Sequence, residues 1–137
     1  MTTPRIVTSV LRTRATCVVS LRGELDWQSV GAFEESVSDL ATWCPKLLAV
    51  DLRCLEFIDT VGVESLAVLR DEIARRGGRT VLVNVPEIAR RRLQLAGLAG
   101  NFTMHLLEGT QPMRAVLGAV GDREPMVVHA LAAHEPA

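Results

Sequence analysis

The chain has 137 residues, 48% of them hydrophobic and 23% charged, with a formal net charge of −1. That length suits one domain with an ordinary globular core, and the near-zero charge gives no electrostatic footing for nucleic acid or an anionic membrane. The start lacks the apolar core of a secretion signal, no apolar run nears the ~20 residues that span a bilayer, and the three cysteines form no C-x-x-C pair. A soluble, cytoplasmic chain without a disulfide framework is therefore expected.

Residues 5–11 and 15–23 are short β-branched segments separated by Arg12-Thr13-Arg14, which predicts a hairpin. In the second segment Cys17, Val19 and Leu21 alternate with Thr16, Val18 and Ser20, so the first set is expected to face a core. After Gly23-Glu24-Leu25-Asp26 (GELD), residues 27–44 carry Val30, Phe33, Val37 and Leu40 at spacings of 3 or 4, the pattern of one amphipathic helix ending before Pro45.

Residues 46–52 are nearly continuously apolar, as in a strand covered on both faces. FIDTVG (57–62) follows, then a helix to about Arg76 that stops at Gly77-Gly78, then a second apolar strand over 79–85. Residues 46–85 thus read as one parallel, right-handed βαβ unit. Pro86 opens a further helix with Gly97 near its end, 101–107 form a weaker strand, and 110–121 a short final helix. The expected order is ββαβαβαβα, an α/β fold with a mixed sheet of about five strands and about four helices. The domain is expected to span 1–120, with 121–137 a loosely docked tail.

In sheets of this kind, functional loops gather outside the carboxyl ends of the parallel strands. FIDTVG holds such a place, and GELD is expected beside it. Asp59 and Thr60 each suit a helix N-cap and equally suit a contact loop. Gly62 fits either close backbone approach or simple tolerance.

On the helix after FIDTVG, at 100° per residue, Val63, Leu66, Leu69 and Ile73 share one arc suited to the core. The opposite arc carries Val61, Ser65, Val68, Glu72 and Arg75. Two of these are apolar on a face that should be wet, which is ordinary for a surface and also what a protein-binding patch would show.

Gly23, Glu24 and Asp26 suit turn chemistry, with Asp26 as cap of the first helix. Trp27 is expected to anchor packing over that helix, or, if exposed, to be an interface residue. Cys17 reads as a buried small hydrophobe. Cys54, placed just past a strand and near FIDTVG, is the candidate redox residue. Arg90-Arg91-Arg92 point in several directions from one helix and read as a solvated face. His105, His129 and His134 show no metal-ligand spacing with the cysteines. Phosphate-loop, nucleophile-elbow, H-E-x-x-H and dinucleotide motifs are missing from the sequence, which argues against an enzyme.

GELD after the second strand, DLRCLEFIDTVGVESL (51–66) and ARRGGRTVLVN (74–84) together resemble the STAS domain, the fold of anti-sigma factor antagonists and of sulfate-transporter tails. In the antagonists a loop reading Asp-Ser-Ser-Gly or Asp-Ser-Thr-Gly opens the second helix, and an anti-sigma kinase phosphorylates its second hydroxyl residue. By position, Asp59 matches the Asp, Thr60 the first Ser, Val61 the phosphoacceptor and Gly62 the Gly. Valine has no oxygen to phosphorylate.

The resemblance thus implies a non-enzymatic regulator with no cofactor and no metal. It would bind an anti-sigma factor, of the serine-kinase type, to free a sigma factor. Its partner surface would comprise Gly23, Glu24, Asp26, Trp27, Val61, Ser65, Val68 and Glu72, with phospho-control absent or relocated to Thr60. The alternatives from other classes are a STAS sensor of a nucleotide, anion or lipid, and a structural STAS subunit of a signalling assembly. The sequence leaves monomer and weak dimer both open.

Overall fold

A computed structural model describes residues 4–12, 15–43 and 45–105. The chain forms β1 (Ile6–Arg12), β2 (Thr16–Leu25), α1 (Val30–Val37), the single turn α2 (Leu40–Trp43), β3 (Leu47–Ile58), α3 (Thr60–Arg75), β4 (Arg79–Val83) and α4 (Glu87–Leu95). A 3₁₀ turn (Ala99–Asn101) and β5 (Thr103–His105) follow. The sheet order is β1-β2-β3-β4-β5. β1 pairs antiparallel with β2, and the remaining neighbours are parallel. This is the mixed α/β sheet the sequence predicts, with the β3–α3–β4 unit in place. The expected final helix over 110–121 and the tail lie outside the described residues.

The core lies between the sheet and the helices. Cys17, Val19 and Leu21 of β2 and Leu48, Val50 and Leu52 of β3 join Phe33, Val37, Leu40, Val63, Leu66, Leu69, Ile73 and Leu93 in one cluster. The residues of opposite parity, Val18, Leu47, Ala49, Val81 and Val83, are buried as well. Both faces of the central strands are thus removed from water, as the unbroken apolar run of 46–52 predicts.

Three boundaries differ from the periodicity. The single helix expected over 27–44 is divided into α1 and α2. Ser36 Oγ donates to Ala32 O and Ser38 Oγ to Glu35 O, both at 2.9 Å, side-chain bonds that compete with helix continuation. The apolar positions still reach the core, because Asp39 O restarts the chain by accepting from Thr42 N and Trp43 N.

β3 runs to Ile58 rather than stopping near Leu52, because β2 also continues, to Leu25, and supplies a parallel partner: Gly23 opposes Leu55, Glu24 opposes Phe57 and Leu25 opposes Ile58. Register shifts on both sides of Gly23 accommodate this. Its φ of +106°, and the 2.2 Å that would separate an added Cβ from Arg5 O, make the position specific to glycine. β4 ends at Val83 because Asn84, at φ +55°, turns the chain.

α3 ends in a Schellman motif: Gly78 N donates to Ile73 O at 2.9 Å and Gly77 N to Ala74 O at 3.0 Å, with Gly77 at φ +88°. α3 is thereby fixed at both ends, and its first turn stands at the carboxyl end of β3.

Candidate partner-binding surface

FIDTVG is two residues of strand, one capping residue and the first turn of α3. Asp59 is the N-cap, with Oδ1 accepting from Gly62 N at 2.8 Å. Its other oxygen, Oδ2, accepts from Trp27 N at 3.0 Å, and its own N–H donates to Leu25 O at 3.2 Å. One aspartate therefore joins the end of GELD to the start of α3.

Gly62 settles the alternative its sequence context leaves open. A Cβ there would lie 2.3 Å from Leu25 O and 2.8 Å from Ile58 Cγ1. The glycine is a close approach between the first turn of α3 and the end of β2.

GELD is strand through Leu25 rather than a turn, and only Asp26 leaves the sheet. Asp26 is 3% exposed. Its carboxylate is held by the Arg5 guanidinium and accepts from Gln28 N at 3.0 Å and Ser29 N at 3.1 Å. The Arg5 hydrogen bond foremost holds the Asp26 carboxyl below the usual carboxylate range, against the opposing effect of burial. Ser29, not Asp26, is the N-cap residue of α1. Arg5 also pairs with Glu24 at 3.0 Å, and Ser29 Oγ donates to Glu24 O at 2.6 Å.

Gly23 and Asp26, expected on the contact surface, thus shape the segment from within, while Glu24 stays half-exposed. Arg5, which the sequence reading did not single out, organises both acids. Nothing in its local sequence marks it, because the acids it meets are 19 and 21 positions away.

Ser65 also moves inside. It is 6% exposed and its Oγ donates to Gly62 O at 2.7 Å, a bond that a serine in the first helical turns can make to a carbonyl three residues back. It offers a docking partner no area. Trp27, by contrast, is not the packing anchor expected over α1: it is 69% exposed. Asp59 fixes its backbone, and its ring stands in water.

Val61 and Val68 are 40% and 58% exposed, as the wet-face arc predicts, while Val63, Leu66, Leu69 and Ile73 are buried. Seven residues apart, Val61 and Val68 share one stripe of α3. Exposed Glu64 sits between them, and below Val68 half-buried Glu72 forms an ion pair with Arg75. Glu64 escaped the sequence reading although its spacing of three from Val61 and four from Val68 marks it. Thr60 is exposed at the first position of α3.

Cys54 lies within β3, half-buried opposite Arg22, rather than past the strand end. Cys17 is fully buried, and burial pushes its thiol up to about 12. Among the described residues no His, Cys, Asp or Glu group is placed to hold a metal ion, and no helix is long and apolar enough to cross a membrane.

Three of the six large apolar side chains exposed among the described residues, Trp27, Val61 and Val68, stand on the segments joined by Asp59 and Gly62, with Glu64 flanking the two valines and Glu72 beyond Val68. An apolar centre with a polar rim suits a protein partner better than a small substrate.

Known proteins resemble the chain in sequence and fold. The chain is 30% identical over 102 residues to anti-sigma-F factor antagonist RsfB of Mycobacterium tuberculosis, covering 72% of this chain and 80% of that protein. Its fold matches the crystal structure of an anti-sigma factor antagonist from Mycobacterium paratuberculosis with a TM-score of 0.72 and 28% identity, over 89% of this chain and 100% of that one. It also matches the Bacillus cell fate determinant SpoIIAA in its phosphorylated form, with a TM-score of 0.64 and 26% identity over 80% and 99% of the two chains. The STAS domain profile matches residues 8–110, and the chain belongs to the STAS domain family.

Proposed function

We propose that the protein is a non-enzymatic, cytoplasmic anti-sigma factor antagonist. It docks an anti-sigma factor of the kinase type on the surface made by Trp27, Val61 and Val68 and so frees a sigma factor. The observation that carries this reading is the Asp59 carboxylate. It ties the Trp27 backbone to the first turn of α3 and so presents exposed side chains from two separate elements together. Relatives named as antagonists support the same reading.

The mechanism is competitive binding, with no bond made or broken on this chain. Such a surface gains its affinity from a few large side chains desolvated at its centre, and Trp27 is the largest exposed one here. A preformed loop adds to this, because little backbone entropy remains to be lost on docking.

In phosphorylation-controlled antagonists a phosphate of about −1.5 to −2 charge would break such an apolar contact. Val61 has no atom to receive it, so the proposed antagonist stays binding-competent in the presence of kinase and ATP. Thr60 is the remaining loop hydroxyl, and a phosphate there would meet the favourable N-terminus of α3.

The test is to mix the purified chain with its candidate anti-sigma kinase and ATP, then measure complex formation and the mass of the chain. A stable complex with an unmodified chain is expected. Failure to bind any anti-sigma factor of the native cell overturns the antagonist reading. Stoichiometric phosphate on the chain overturns the unregulated one.

A further inference from the structure

At the far end of α3 from FIDTVG, a cavity of about 420 Å³ is lined by Arg70, Arg79, Thr80, Asn101, Thr103 and His105, with Ala74, Gly78 and Val81 completing its wall. Ala74 lies about 21 Å along the helix axis from Thr60 at 1.5 Å per residue, and Arg79 opposes Leu47 at the start of the parallel strands, not their carboxyl ends. The cavity is therefore separate from the surface assigned to partner docking, and nothing in that assignment uses it.

Its chemistry is one-sided. Its polar lining residues include two arginines, Asn101 and the exposed Thr103, and no acidic residue lines it among the described residues. Arg70 holds its neighbour Asp71 at 3.1 Å, an exposed pair between adjacent residues that competes weakly with a better anion.

We propose that this cavity binds the phosphate group of a small phosphorylated ligand. Guanidiniums form two-pronged, charge-assisted bonds with phosphate oxygens. A phosphate monoester offers three free oxygens to two arginines and a hydroxyl at once, whereas a carboxylate offers two. The volume lies within the range of small-molecule sites, and it leaves room for an organic group beside Val81 and Ala74. Such a site gives the STAS scaffold a ligand input along the β4–β5 side of the sheet, away from its docking loop.

The experiment uses the full chain, with thermal unfolding and amide NMR shifts followed during titration with sodium phosphate, AMP or ribose 5-phosphate. Sodium chloride at matched ionic strength is the control. The expected result is a saturable rise in Tm, with shifts centred on Gly78, Arg79 and Thr103, and affinity reduced about tenfold or more in Arg79→Gln and in Arg70→Gln. Arg79 is exposed and Arg70 half-buried in an exposed pair with Asp71, so unliganded Tm should change little in the variants.

Saturation by inorganic phosphate identifies a free-anion site, and saturation only by the esters identifies an organic phosphate. No saturable change with any of the three, or binding undiminished in the double variant, overturns the proposal. Capture of an anti-sigma factor is read separately, so neither result decides the other.

Discussion

The Asp59 carboxylate accepts the Trp27 N–H at 3.0 Å across 32 residues of sequence, while its other oxygen caps α3 through Gly62 N at 2.8 Å. One short side chain thus fixes the relative position of two segments that the chain builds on different strands. Asp59→Ala removes both bonds and should cost about 1–3 kcal/mol, the sum of an N-cap and a further hydrogen bond. Asp59→Asn keeps an oxygen for the cap but has no second acceptor for Trp27, so it should cost about 1 kcal/mol. Urea denaturation followed by tryptophan fluorescence checks both. Equal losses in the two variants would show that the cap contributes nothing, and no loss in Asp59→Asn would show that the Trp27 bond contributes nothing.

Gly62 and Gly31 make a paired prediction. Gly62→Ala drives a methyl to 2.3 Å from Leu25 O, where only backbone movement relieves the contact, and should destabilise by about 1–3 kcal/mol. Gly31, in α1, has nothing within 4 Å of an added Cβ. Alanine there should be neutral or stabilising by up to about 1 kcal/mol, since it lowers unfolded-state entropy and favours helix. Chemical denaturation midpoints with unchanged m-values are the measurement.

The acid limb of stability should depend on Arg5. Its bond to Asp26 holds that carboxyl below its unfolded value, so the contribution is fully present above about pH 4. It is lost as pH falls through the lower, folded value. In Arg5→Gln that contribution is gone at neutral pH, and Asp26 is left buried without its cation. The stability gap between wild type and Arg5→Gln, read from urea midpoints between pH 7 and pH 2, should therefore narrow below about pH 4. A gap constant across that range would mean that the pair does not couple to folding.

The docking surface predicts a separation of binding from stability. Val68 is 58% exposed, so Val68→Glu should change folding stability by no more than about 0.5 kcal/mol. It should nonetheless weaken anti-sigma factor binding by about tenfold, because it places a charge at the centre of an apolar contact. Trp27→Ala should cost about 2 kcal/mol of binding or more, as truncation of a central aromatic residue does. Isothermal titration against the purified anti-sigma factor decides this. Unchanged affinity in Val68→Glu removes the α3 face from the interface, whatever Trp27 does.

Local pattern carried much of this architecture. The 3.6-residue period picked out Val63, Leu66, Leu69 and Ile73 as core and Val61 and Val68 as exposed, because a surface helix faces the core with one stripe only. Gly77-Gly78 marked the end of α3 for the conformational reason that ends it. What local pattern missed depends on distant pairing. β3 and β2 extend each other beyond their apolar runs, Arg5 reaches across β2 to Asp26, and Ser65 is drawn inward by the carbonyl of Gly62. Trp27 was misplaced for a related reason: its side chain follows from a backbone bond to Asp59, which no periodicity in residues 27–44 encodes.

The same loop yields the most direct functional test. Val61 is 40% exposed in the first turn of α3, so Val61→Ser replaces an accessible apolar group with a hydroxyl at little cost to folding. Incubated with the anti-sigma kinase and ATP, Val61→Ser should take up phosphate stoichiometrically and then release the kinase, while wild type takes up none and stays bound. Val61→Ala, which has no hydroxyl, should behave as wild type and separates the effect of the new oxygen from that of lost side-chain area. Val61→Asp should weaken binding without any kinase activity, since it supplies part of the negative charge directly. Phosphate on wild type mapped to Thr60, and lost in Thr60→Ala, would move the switch one residue toward Asp59. Phosphate on neither protein, with complex formation intact, would leave Val61→Ser a hydroxyl the kinase cannot reach and overturn the equivalence of position 61 with the acceptor.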